Sequence, residues 1–261
     1  MSANFIIPDW PAPTGVKSIV TTRLGGFSHE SYASLNPALH VGDNPEHVAR
    51  NRALISQQLA TRFSPQWLEQ VHGVTVFEAN ARDLVYPESG RSEVAGNACV
   101  PSADAVITGD RGLPCAIMTA DCLPVLFCNT SGDRVAAAHA GWRGLLAGVL
   151  ENTCGYFEQS PEHLMAWFGP AIGPGNFEVG GEVRDAFIDY SQKTATAFVA
   201  NKDNPGHWFA DLYALATIRL NSVGLRAIYG GGFCTYRDSE RFYSYRRDRV
   251  TGRMASLIWL E

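Results

Sequence analysis

Cys115-Ala-Ile-Met-Thr-Ala-Asp-Cys-Leu-Pro-Val-Leu-Phe-Cys128 and Arg134-Val-Ala-Ala-Ala-His-Ala-Gly-Trp-Arg-Gly144 decide the fold. Each is a short apolar run that breaks into a turn. The pattern predicts strands over residues 115–118, 125–128 and 134–138, too short for buried helices and bounded by Asp, Pro and Gly. Residues 144–158 then switch to helical spacing. Leu145, Val149, Asn152 and Tyr156 form one stripe, and Leu146, Leu150, Cys154 and Phe157 widen it into a broad apolar face.

Reading outward, Lys17 to Thr22 is a strand that runs into a Gly25-Gly26 turn. Residues 44–59 are a helix with Asn44 as its cap and Pro45 in its first position, and Val48, Leu54, Ile55 and Leu59 point inward. Trp67 to Val71 is a short strand that delivers His72, and Ala103 to Thr108 is another. Helices follow at 182–190 and 212–223, the second capped by Asp211. Leu225 to Tyr229 is a strand entering Gly230-Gly-Gly232. Phe242 to Arg246 and Met254 to Trp259 read as a hairpin, in which one of Arg246 and Arg247 faces inward and needs a partner. Without linkers, repeats or low-complexity blocks, the expectation is one α+β domain over residues 1–261, with a mixed or antiparallel sheet.

The composition suits a buried core: 46% of the 261 residues are hydrophobic and 18% charged. The net charge is −5 and no Lys/Arg block occurs, which argues against a nucleic-acid surface. The N-terminus lacks the cationic-then-apolar order of a secretory signal, and the run from Cys115 to Cys128 is interrupted by Asp121 and Pro124, so no stretch reads as a membrane span. A cytoplasmic protein, monomer or homodimer, is expected. Its six cysteines, Cys99, Cys115, Cys122, Cys128, Cys154 and Cys234, are then reduced, and none is spaced as C-x-x-C.

Three side chains carry chemistry. Cys122 follows Asp121 and precedes Pro124, and His139 precedes Ala140-Gly141, so both stand where a strand gives way to a turn. His72 sits in Glu69-Gln-Val-His-Gly73. A thiol with two imidazoles can hold a soft metal, and a Cys–His pair can run nucleophilic chemistry. Arg143, in the turn Gly141-Trp-Arg-Gly144, offers a fork for phosphate or is an ordinary surface residue. Cys115, Cys128 and Cys154 read as inert core residues.

Eight motifs in order carry a family resemblance: Thr21-Thr-Arg-Leu-Gly-Gly26, His40-Val-Gly-Asp43, Asn51-Arg52, Gln70-Val-His-Gly73, Ala120-Asp-Cys-Leu-Pro-Val125, Ala138-His-Ala-Gly-Trp-Arg-Gly144, Gly169-Pro-Ala-Ile-Gly-Pro174, and Phe242-Tyr-Ser-Tyr-Arg-Arg-Asp248 with Thr251-Gly-Arg253. The chain resembles the YfiH/laccase-domain family, once called multicopper polyphenol oxidases, from about Thr21 to Trp259. It departs at Leu35-Asn-Pro-Ala-Leu39, where members more often read Leu-Asn-Leu-Gly. The resemblance implies one α+β domain, a β-sandwich-like core of mixed sheets flanked by helices. It also implies a zinc site on His72, Cys122 and His139, with a position left open for catalysis.

The resemblance further implies a purine nucleoside phosphorylase that splits adenosine, inosine, guanosine and methylthioadenosine with phosphate and also deaminates adenosine. His72, Cys122, His139 and Arg143 are its candidate catalytic residues. Three other readings stay open. A copper-dependent polyphenol oxidase would use the same ligands, since copper also suits Cys and His, but seven histidines without an H-x-H pair are few for it. A Cys122–His139 hydrolase would edit peptidoglycan precursors. A non-catalytic zinc protein would bind metal without turnover.

Overall fold

The computed structural model describes residues 5–83 and 100–261. Strands β1 (Phe5–Ile6) and β2 (Val16–Thr21) precede helix α1 (Pro45–Leu59), then come β3 (Val76–Glu78), β4 (Ala105–Thr108), β5 (Cys115–Thr119), β6 (Leu123–Asn129) and β7 (Val135–Ala140). Helices α2 (Trp142–Ala147) and α3 (Val149–Gly155) lead to β8 (Leu164–Phe168), β9 (Glu178–Gly180), α4 (Gly181–Tyr190), β10 (Phe198–Ala200) and β11 (His207–Ala210). The chain closes with α5 (Leu212–Ser222), β12 (Ala227–Gly230), α6 (Tyr245–Asp248) and β13 (Met254–Leu260).

A six-stranded mixed sheet, β12-β8-β6-β7-β4-β3, forms the centre, and a four-stranded antiparallel sheet, β1-β2-β13-β5, packs on one face of it. Strand periodicity divides the central residues cleanly. Val106, Leu126, Cys128, Val135 and Ala137 turn toward Val20, Ile117 and Ile258 of the second sheet. Their neighbours Ala105, Ile107, Val125, Phe127, Ala136 and Ala138 turn the other way, onto Leu145, Leu150, Leu215 and Leu220 of the helices. Helix α1 covers the outer face of the four-stranded sheet, with Ile55 and Leu59 against Ile19, Leu257 and Trp259. The result is the expected α+β domain with sandwiched sheets flanked by helices. No helix among the described residues is long and apolar enough to cross a membrane.

Local signals held where they were local. Asn44 Oδ1 accepts the Glu46 N–H and Pro45 opens α1, while the Asp211 carboxylate caps α5 through Tyr213 and Ala214. Three expectations are corrected. The helix expected over 144–158 is two helices, because Gly148 breaks it at φ 104°, a conformation that favours glycine. Residues 67–71 form no strand and are held by isolated bridges at Gln66 and Glu69. The C-terminal hairpin does not form. Residues 245–248 are a helical turn capped by the Ser244 hydroxyl, and β13 pairs instead with β2 and β5. Arg246 donates to the Glu178 carbonyl, and Arg247 donates to the Thr235, Tyr236 and Phe242 carbonyls and pairs with the Asp248 carboxylate at 2.7 Å, the salt-bridge partner such an arginine needs. Cys99 lies outside the described residues.

Candidate metal centre

The site lies where three segments leave the sheets. Cys122 is the last residue of the β5–β6 connection, after Ala120 and Asp121, the latter at φ 99°. His139 is near the end of β7, opposite Pro124 across the β6–β7 ladder, so the two strands bring it alongside Cys122. His72 comes from the loop before β3, in the left-handed region at φ 61°. Gln70 fastens that loop, because its side-chain amide donates to the Met118 carbonyl and accepts the Met118 N–H, both at 2.8 Å. It thus takes the place of a strand partner for β5, the strand that leads to Cys122.

The ligand atoms of His72, Cys122 and His139 all lie within 4.8 Å of one another, and this is the one such group of three or more among the described residues. Cys122 Sγ stands 3.8 Å from His72 Nε2, about the spacing that ligands of one tetrahedral ion keep when their bonds are about 2.0–2.3 Å long. The two imidazole rings meet edge to face at 4.7 Å. His139 is buried, Cys122 half-buried and His72 exposed, so the group opens toward solvent on the His72 side.

Asp104 organises this cluster, and the sequence reading passed over it. The carboxylate is fully buried at the entry to β4. It accepts the N–H groups of His72 at 2.9 Å, Gly73 at 2.6 Å and Val71 at 3.3 Å, and meets His139 Nδ1 at 2.8 Å. One side chain therefore sets the His72 turn and orients the His139 ring, leaving Nε2 for the cluster. A lone Asp opening an apolar run, Ala103-Asp-Ala-Val-Ile-Thr108, was its only trace in the sequence. Asp121, beside Cys122, is committed elsewhere, accepting from the Thr235 hydroxyl and the Arg246 N–H at 2.6 Å each.

Charge follows from this packing. Burial pushes the Cys122 thiol up, but the adjacent imidazoles, His139 foremost, outweigh it and bring the thiol down to about 6. Burial lowers His139, while the Cys122 thiolate and the Asp104 carboxylate outweigh it and raise the imidazole to about 9. Burial likewise opposes ionisation of Asp104, yet its bonds from His139 and the loop N–H groups hold it below the usual carboxylate range. The other thiols behave oppositely, with burial pushing Cys128 and Cys154 up to about 12.

Gly141 closes the group from behind. A Cβ there would stand 2.7 Å from His72 Cδ2 and 3.1 Å from Cys122 Sγ, so only glycine lets β7 end this close to both. Arg143, two residues on, is exposed, with its guanidinium 4.3 Å over the Trp142 ring. It lies outside the three-residue cluster.

The sequence pattern of the family described as multi-copper polyphenol oxidoreductase laccase matches residues 17–261. The chain belongs to this family. Among laccase-like relatives, a purine nucleoside phosphorylase of Pseudomonas aeruginosa is 51% identical over 257 residues, covering 98% of each chain. Purine nucleoside phosphorylase YfiH of Escherichia coli is 49% identical over 258 residues, covering 99% of each. The crystal structure of a Neisseria meningitidis protein matches with a TM-score of 0.89 and 47% identity, covering 99% of both chains. That of YlmD from Geobacillus stearothermophilus matches with a TM-score of 0.85 and 30% identity, over 96% of this chain and 94% of that one. The fold is thus shared with these structures over nearly the whole chain.

Proposed function

We propose that the protein is a zinc-dependent purine nucleoside phosphorylase that also deaminates adenosine. The observation that carries the metal assignment is the donor set: two imidazole nitrogens and one thiol held down to about 6, gathered within 4.8 Å and oriented by Asp104. These residues fit zinc, with His72, Cys122 and His139 as ligands and room left on the exposed side. A zinc ion there would supply Lewis acidity and a water acidic enough to act near neutral pH. One three-donor cluster suits a single ion better than an array of coppers.

The relatives named purine nucleoside phosphorylases, near half identical over almost their whole length, support the reaction class. In phosphorolysis a phosphate oxygen bonds to C1′ of the ribose as the C1′–N9 bond breaks, and the departing purine takes up a proton. Adenosine, inosine, guanosine and methylthioadenosine are the proposed substrates. The chain's own residues position this chemistry. Asp104 fixes the His139 tautomer, Gln70 and Asp104 fix the His72 turn, and Gly141 leaves space at the cluster. Arg143 joins the proposal as an outer phosphate contact beside Trp142.

A second reading has its own support in the Cys122–His139–Asp104 line, which has the composition of a nucleophile, a base and an orienting carboxylate. Product analysis separates the two. Adenosine incubated with the zinc-loaded protein should yield adenine and ribose 1-phosphate only when phosphate is present, and inosine with or without it. Adenosine left intact under both conditions would remove the purine reading and leave the thiol nucleophile.

A further inference from the structure

The loop from Asn36 to Asp43 gathers basic side chains near the start of β13, which pairs with β5, the strand that leads to Cys122. Arg253 reaches it from the start of β13: its N–H donates to Asn36 Oδ1 at 3.0 Å, and its Nη1 donates to the Thr251 and Gly252 carbonyls. The next residue, Met254, pairs with Thr119. Arg253 therefore lies just beyond the Met254–Thr119 pair, at the end of β5 that leads through Ala120 and Asp121 to Cys122. Arg52 reaches the same loop from α1, donating Nε–H to the Pro37 carbonyl at 2.8 Å with its guanidinium 4.5 Å over the Trp67 ring. His40 stands on this loop with a solvent-facing side, and partial burial, then the Arg253 and Arg52 charges, hold its imidazole below the ordinary value.

Among the described residues, neither Arg52 nor Arg253 has a carboxylate within ion-pair distance. The carboxylates at hand are already used. Asp43 accepts from Ser28, Asn36 and the Asn44 N–H, and Asp121 accepts from Thr235 and Arg246. Arg52 commits only Nε–H, and its two terminal nitrogens have no hydrogen-bond partner among the described residues. Both guanidiniums are half-buried, which is costly for an unpaired charge unless an anion joins it. Two arginines that meet adjacent loop residues, Arg253 through its backbone N–H and Arg52 through Nε–H, with an imidazole three residues on, match a tetrahedral dianion better than a single carboxylate.

We propose that His40, Arg52 and Arg253 form the binding subsite for inorganic phosphate, on the Cys122 side of the metal cluster. The proposal rests on the phosphorylase reading for its role in turnover, but not for binding itself. The Pro37 carbonyl holds the Arg52 guanidinium, and the Thr251 and Gly252 carbonyls hold that of Arg253, before phosphate arrives, so little ordering is left to binding.

The test titrates inorganic phosphate calorimetrically into the zinc-loaded protein and, separately, measures the phosphate KM for adenosine cleavage. Wild type is compared with Arg253→Gln, Arg52→Gln, Arg253→Lys and His40→Gln, with Arg226→Gln, a surface arginine bonded to Asn221, as the control for simple charge loss. Zinc content reports whether each variant keeps its cluster. Tenfold or greater weakening of phosphate binding in zinc-replete Arg253→Gln and Arg52→Gln is expected, with Arg253→Lys intermediate and Arg226→Gln like wild type. Should Arg253→Gln not fold, Arg253→Lys and His40→Gln carry the comparison. Wild type that takes up no phosphate, or variants that bind it as wild type does, would overturn the proposal. Phosphate bound by wild type and lost in the variants, with no adenosine cleaved, would sustain the subsite and sink the phosphorylase reading.

Discussion

Asp104 and His139 are bound twice: through side-chain Oδ1 and Nδ1 at 2.8 Å, and through the backbone, where the His139 N–H donates to the Asp104 carbonyl at 2.7 Å. The side-chain contact fixes one tautomer, and the backbone contact fixes the strand position from which the ring extends. The same carboxylate holds the His72 loop, so one residue governs two of the three candidate ligands.

Asp104→Asn is therefore expected to weaken zinc binding by about 10–100-fold, the usual effect of losing a partner that orients a metal ligand. Chelator competition measures it, with circular dichroism to show a retained fold. Affinity equal to wild type would remove Asp104 from this role. Because its folded pKa is depressed, the stability Asp104 adds is present above the ordinary carboxylate value of about 4 and fades as pH falls through the lower folded value.

In metal-free protein Cys122 should be the first cysteine alkylated by iodoacetamide at pH 7. Its thiolate predominates above about 6, whereas Cys128 and Cys154 are held up near 12 and buried. The rate should fall as pH drops below 6, and stoichiometric zinc should protect the residue. Peptide mapping by mass spectrometry reads the outcome, and a rate still climbing between pH 8 and 9 would mean an ordinary thiol.

Gly141→Ala tests the close approach behind the cluster. Its backbone, at φ −67° and ψ 158°, suits alanine, so stability should change little. The new methyl would press on His72 and Cys122, and zinc affinity should drop tenfold or more, about 1.4 kcal/mol. Unaltered zinc affinity would show that the ligands have slack.

Much of this was legible because it is local. Asn44 and Pro45 announce α1 within two residues, and the apolar runs at β5, β6 and β7 are bounded by their own turns. Cys122 and His139 stand out because each ends such a run. The misread parts depend on distant partners. β13 lies between β2 and β5, over a hundred positions earlier in the chain, which no local pattern records. Strand β8, a neighbour of β6 in the central sheet, went unread in Leu164-Met-Ala-Trp-Phe168, a run without alternation. Asp104 looks like an incidental charge until His72 and His139 fold onto it, and Arg52 and Arg253 share a loop only in three dimensions.

Away from the site, Arg219 and Glu151 form a largely buried ion pair between α5 and α3, with the guanidinium 3.7 Å over the Tyr190 ring. Arg219→Ala leaves Glu151 charged and unpartnered, and should cost about 3–5 kcal/mol in urea unfolding. A loss under about 1 kcal/mol would place this pair among ordinary surface contacts.

The most direct test combines metal content with turnover in one preparation. Wild type and Cys122→Ser would be purified without added metal, assayed for zinc and copper, and incubated with adenosine with and without phosphate. The account predicts about one zinc per wild-type chain, adenine and ribose 1-phosphate only when phosphate is present, and loss of both zinc and product in Cys122→Ser. Adenosine phosphorolysis by wild type free of metal, or by Cys122→Ser at the wild-type rate, would contradict it.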